Sequence, residues 1–135
     1  RMTHERESGN DTHYSGDLGQ LEACYLASQV SGRILLNLVG VGIAKNRQGL
    51  VEFRFQDSDV GANDLGGTLV SLPLPKEEEA LLGGFLRMAS KAAAHFTTPE
   101  RHAWGRTHEA ILCVHRYVDQ HVYQPNGRSI LPIWY

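Results

Sequence analysis

Lys91-Ala92-Ala93-Ala94-His95-Phe96-Thr97-Thr98-Pro99-Glu100-Arg101 is the stretch whose reading decides the fold. It ends one amphipathic helix and starts another within about four residues. Thr98 reads as an N-cap and Pro99 as the first helical position. Glu100 then stands as an acid at the positive end of the new helix. Two helices joined this tightly fold back on each other or bend sharply. The corner also gathers Lys91, His95 and Arg101.

Upstream, the helix that ends here starts after Leu74-Pro75, where Glu77, Glu78 and Glu79 suit its positive end. Leu81, Leu82, Phe85, Met88, Ala89, Ala92 and Phe96 give it an apolar face. Downstream, the next helix runs from Pro99 to about Tyr123 and stops before Pro125-Asn126-Gly127. Ala103, Ala110, Ile111, Val114, Tyr117, Val118 and Val122 share one of its faces.

A third helix comes first in the chain, capped near Asp17. Its seam is read as Leu21, Tyr25, Ser28, Gly32, Leu35 and Val39, with Glu22, Gln29, Arg33 and Asn37 opposite. Ser28 and Gly32 on that seam predict a close approach by another helix. The helix ends near Val39 and a long loop follows, in which Leu50 to Phe55 alternates as a strand does. Thr68 to Leu72 is the expected second strand. A rival reading makes Ile34 to Ala44 a strand, hairpinned through Lys45-Asn46-Arg47-Gln48-Gly49 to residues 50–55.

The expected fold is mostly α, a three-helix-core bundle whose long loop carries a short β-ribbon. The alternative is α+β with a small antiparallel sheet. Residues 1–16 lack apolar periodicity and read as a flexible N-terminal arm, leaving 17–135 as a single helical domain. The last residues, Ile130-Leu131-Pro132-Ile133-Trp134-Tyr135, are too apolar to stand in water. They are expected to lie extended across helices of the same bundle or of a second copy, which makes a homodimer the expected assembly.

Composition narrows the function classes. Thirteen basic residues against fifteen acidic ones leave no general excess to draw nucleic acid or anionic membrane. Ten of the thirteen cations are arginine, so a local nucleic-acid patch stays open. The longest apolar run, Ile34 to Ala44, is too short to span a bilayer. Cys24 and Cys113 are the only cysteines and form neither a disulfide framework nor a zinc motif. The expectation is a cytoplasmic protein with no cofactor.

Three constellations carry chemistry-bearing residues. His108, His115 and Asp119 lie on one flank of the last helix, but a single helix supplies only part of a metal shell. They read as histidines at the boundary of core and solvent, and no metal is assigned. Asp57, Asp59, Asn63 and Asp64 are turn chemistry, because Thr68 stands where a calcium loop needs its twelfth-position glutamate. Lys91, His95 and Arg101, with Asp59 and Asp64 reaching back from the loop, are the candidate binding site. Either these charges pin the loop over the bundle, or they form a pocket for a small anion or phosphate.

Arg116 and His121 have four residues between them, and Arg101 and His108 have six. Such spacing on a helix resembles that of HEPN-like ribonucleases, in which the arginine is thought to bind phosphate and the histidine to help activate a ribose hydroxyl. Tyr117 follows Arg116 where those proteins often have asparagine.

The order of features is similar to a loose group of small uncharacterised bacterial proteins. The matching segments are Ser31-Gly32-Arg33-Ile34-Leu35-Leu36, Asp57-Ser58-Asp59-Val60 with Asp64, and Lys91 through His95-Phe96-Thr97 to Arg101. They cover roughly residues 20 to 101. This chain departs in Phe96, where leucine is usual, and in a longer 40–56 insert. The resemblance implies a helical bundle of HEPN-like kind and brings no established activity. The function expected is a non-catalytic binding or interaction module whose partner is a protein or a small anion. The alternative is an HEPN-like ribonuclease or toxin-antitoxin component.

Overall fold

The computed structural model describes residues 4–7, 11–14, 18–46, 49–94 and 101–129. Three helices dominate: α1 (Leu18–Leu38), α2 (Lys76–Ala94) and α3 (Arg101–Val118). Each packs on the other two. Helix α2 is described to Ala94 and α3 from Arg101, and the two pack on each other. The capping residues themselves, Thr98 to Glu100, lie outside the described residues.

Four short strands make two hairpins. β1 (His4–Glu7) pairs antiparallel with β2 (Asp11–Tyr14), so the segment read as an arm contains a hairpin. β3 (Val41–Ile43) pairs antiparallel with β4 (Leu50–Glu52), in the register Val41↔Glu52, Gly42↔Val51, Ile43↔Leu50. The ribbon expected in the loop is present, but its partner strand is 41–43 and not 68–72. Helix α1 ends where Gly40 adopts φ +92°, a left-handed conformation that glycine takes without steric cost. The chain then turns directly into β3, and Phe53 N–H returns to the Gly40 carbonyl. Val70 instead donates singly to the Val39 carbonyl, which ties the later loop to the end of α1.

The core lies between the three helices and under this ribbon. Leu36 of α1 and Val39 just past its end, Leu82, Phe85 and Leu86 of α2, and Ala110, Val114 and Val118 of α3 are buried together with Val41. Gly32 permits the α1–α2 contact: a Cβ there would run into the Phe85 ring. Ser28 beside it is half-buried.

The face of α1 differs from the expected seam. Gln29, placed opposite the seam by its polarity, is 1% exposed and reaches Thr107 Oγ1 of α3 at 3.4 Å. Leu35, placed on the seam, is exposed, as are Val30 and Ile34. The helix is apolar around most of its circumference, so hydrophobicity alone does not choose which side turns inward.

Beyond Val118 the last helix continues as a π-helical turn, Asp119–Tyr123, and a 3-10 turn, Gln124–Asn126. The loop docks here. Thr68 N–H donates to the His121 carbonyl, and Asn126 Nδ2 donates to the Leu65 and Val122 carbonyls. Gly67 lies so close to the His121 carbonyl oxygen that no Cβ fits between them.

Candidate functional site

The densest polar cluster joins the first turn of α2 to the last turns of α3. Glu78 Oε1 accepts from the Arg116 guanidinium and from the Tyr117 hydroxyl. Cys113 Sγ lies 3.8 Å from the same oxygen, and Arg116 Nη2 lies 3.6 Å from that sulfur. The Arg116 guanidinium also sits 5.2 Å from the centroid of the Tyr117 ring. One turn on, the His121 ring stacks near Tyr117 with centroids 6.0 Å apart, and its Nδ1 is 2.9 Å from Thr68 Oγ1. Helix periodicity explains the grouping: positions 113, 116 and 117 return to one face, and 121 follows 117 by four. Glu78 enters from a helix end where acids are favoured, opposite the basic end of α3.

The electrostatics of this cluster are those of a structural junction. Burial pushes the Cys113 thiol up to about 11, against the pull of Arg116 and with a further push from the Glu78 carboxylate. At neutral pH it is a protonated thiol and a poor nucleophile. Burial and the hydrogen bond to Glu78 also raise the Tyr117 hydroxyl, which stays a proton donor. Burial lowers His121, partly offset by a hydrogen bond to the Thr68 backbone, so its imidazole is neutral at pH 7. Every strong donor of Arg116 and Tyr117 that meets Glu78 meets a carboxylate already shared.

The residues chosen from sequence as a binding site are placed differently. Asp59 accepts the Gln56 N–H at 2.8 Å, and Asp64 accepts the Gly61 N–H at 2.9 Å. Both carboxylates close local turns. Their loop is fastened to the π-helical turn through Thr68 and to the end of α1 through Val70. The 18-residue length of α3, about 27 Å, separates that end of the bundle from Arg101. Lys91 lies in the last turn of α2 and Arg101 opens α3, so their backbones are at the corner end. Their side chains, and His95 altogether, lie outside the described residues.

Sequence reasoning missed Glu78 as a partner of Arg116, because the two are 38 positions apart and no local pattern links them. The Arg116–His121 spacing does bring both side chains to the border of one ring, Tyr117. Among the described residues no three His, Cys, Asp or Glu side chains converge as they would around a metal ion. No helix among them is long and apolar enough to cross a membrane.

A second region stands out for the opposite reason. The outer face of α1 presents Ala23, Cys24, Ala27, Val30, Ser31 and Ile34, all exposed. Val30 is 40% exposed and Ile34 60%, the highest value among the exposed large hydrophobics of the described residues. The helix has two charged residues in all, Glu22 and Arg33, and both fall on one flank of it. The outer faces of the other two helices carry Lys76, Glu77 and Arg87 on α2, and Arg106, Glu109 and Arg116 on α3.

No protein-family model, curated protein or solved structure matches this chain.

Proposed function

We propose that this protein is a non-catalytic interaction module whose binding surface is the outer face of α1. The observation that carries this reading is the contrast in charge between the three helices of one bundle. A surface helix normally turns a charged stripe to water, as α2 and α3 do, whereas a helix apolar on both sides is buried on both sides. The side chains on the outer face of α1 are individually small, but they form one contiguous uncharged stripe, the kind of surface that marks a contact site.

The reading is tested with the dye bis-ANS at submicromolar protein. Wild type binds the dye, and Ile34→Glu, a change at an exposed position, reduces that binding with little change in melting temperature. Equal dye binding by both proteins contradicts the reading.

An HEPN-like ribonuclease is the second reading, supported by Arg116 and His121 bordering Tyr117 with His121 neutral. Against it stands Glu78, whose carboxylate already holds Arg116 and repels a phosphate there. RNA cleavage by wild type that disappears in His121→Ala establishes the second reading. Absence of cleavage by wild type removes it.

A further inference from the structure

The interaction face of α1 has an internal order that points to its occupant. Its small side chains, Ala23 and Ala27, stand in the N-terminal half of the stripe. Along the line 23-27-30-34 the large ones, Val30 and Ile34, stand in the C-terminal half, with Cys24 and Ser31 set to one side, so the two halves of that line have opposite relief. Positions 23 and 34 sum to 57, and so do 27 and 30. An antiparallel copy of the same helix, centred between residues 28 and 29, therefore sets each small residue against a large one. Interdigitation of small against large is what a close helix–helix contact requires. The lack of charge meets the other requirement of a two-fold contact. Each side chain near the axis faces an equivalent of itself or of its neighbours, and a charge there would meet its like.

We infer that α1 docks antiparallel on α1 of a second copy, with Ala23 against the partner's Ile34 and Ala27 against the partner's Val30. This inference rests on the reading of the α1 face as an interaction surface and adds the identity of what it binds. A helix about 31 Å long and about 12 Å across covers on the order of 400 Å² per copy. The total, near 800 Å², lies below the ~1,200 Å² of a standard interface, so the dimer is weak and depends on concentration.

Sedimentation velocity from about 1 to about 300 μM tests it, with a dissociation constant on the order of 10 μM expected for wild type. Ile34→Glu and Ala23→Lys, each at an exposed position, should each be monomeric over the whole range. The double variant, Ala23→Lys with Ile34→Glu, should regain part of the dimer, more at low salt than at high. Positions 23 and 34 are three helical turns apart in one chain, about 16 Å, so this rescue arises only between antiparallel copies. Singly monomeric variants without rescue overturn the antiparallel pairing. A monomeric wild type whose bis-ANS binding falls in Ile34→Glu overturns the second copy as occupant and leaves the interaction face standing. A monomeric wild type whose dye binding is unchanged by Ile34→Glu overturns both. A dimer indifferent to Ile34→Glu but lost on removal of residues 130–135 places the contact in the C-terminal tail and overturns the α1 pairing.

Discussion

The α2–α3 junction and the outer face of α1 dispose of their side chains in opposite ways. At the junction one carboxylate, Glu78, satisfies a guanidinium and a phenol from the neighbouring helix, with a thiol close by. On the outer face of α1 there is no charged group, and apolar side chains such as Val30 and Ile34 stand in water. The difference teaches where to look for function in this molecule. The junction contains the residue types that catalysis uses, but they are engaged with one another. Apart from the Cys24 thiol, the α1 face contains residue types that do no chemistry, and its apolar groups stand exposed.

The largest effect expected in breaking this contrast comes at the foundation of the junction. In Gly67→Ala the new Cβ collides with the backbone carbonyl of His121, and neither backbone can yield without releasing the loop. The loss should be about 3 kcal/mol or more, at the upper end of overpacking costs, read by urea denaturation. A variant as stable as wild type shows that the loop does not dock on the π-helical turn.

Glu78→Ala comes next. It leaves the Tyr117 hydroxyl on a buried residue without its acceptor, a penalty of about 1–3 kcal/mol. The ion pair adds little, because half of the Arg116 side chain is exposed. Glu78→Gln, which keeps an acceptor oxygen, should recover most of the loss. If both variants destabilise equally, charge and not hydrogen bonding holds the junction.

Gly32→Leu sharpens the comparison from the inner side of α1. Its side chain enters the space of the Phe85 ring and should cost about 1–3 kcal/mol. Ile34→Leu on the outer side, two residues away, should change the stability of the monomer by less than about 0.5 kcal/mol. Similar effects at both positions would mean that the inward and outward faces of α1 are wrongly assigned.

The smallest effect concerns pH. His121 is held below its ordinary 6.5 by burial, so the unfolded chain takes up that proton first as pH falls. Its contribution to stability is intact above about pH 6.5 and declines as pH drops toward the folded value. His121→Asn should flatten this part of the stability profile. An unchanged profile assigns the acid sensitivity to other groups.

Much of the architecture was legible in the sequence, for reasons that differ by element. Helix α2 declares itself through three glutamates at its start, and α3 through the alanine, valine and tyrosine positions of one face. Both have charges that say which side is wet. Helix α1 does not, and its pattern alone therefore points Gln29 outward and Leu35 inward, the reverse of what the structure shows. A buried glutamine amid available leucines is decided by its reach to Thr107 and by Gly32 seating on Phe85, which sequence periodicity does not contain. The choice of 41–43 over 68–72 as the strand beside β4 turned on the left-handed turn at Gly40. The expected cluster of Asp59 and Asp64 with Lys91, His95 and Arg101 rests on side chains that lie outside the described residues. A charge pattern does not say which end of a helix a loop returns to, and here Gly67 and Thr68 take it to the π-helical turn. That turn has no sequence signature of its own.

The two cysteines report on the two regions at once, and their alkylation tests the central claim most directly. Cys24 is exposed on the outer face of α1, and Cys113 is buried in the junction. With excess iodoacetamide at about pH 8, the thiol pushed up to about 11 has about 100-fold less thiolate than one at 9.0, before burial slows it further. Cys113 should therefore react slowly at every protein concentration. Cys24 should react fast in dilute protein and several-fold more slowly at about 300 μM, as a second copy covers its face. A Cys24 rate that is the same at all concentrations, with Cys113 slow throughout, would contradict the pairing of α1 with α1.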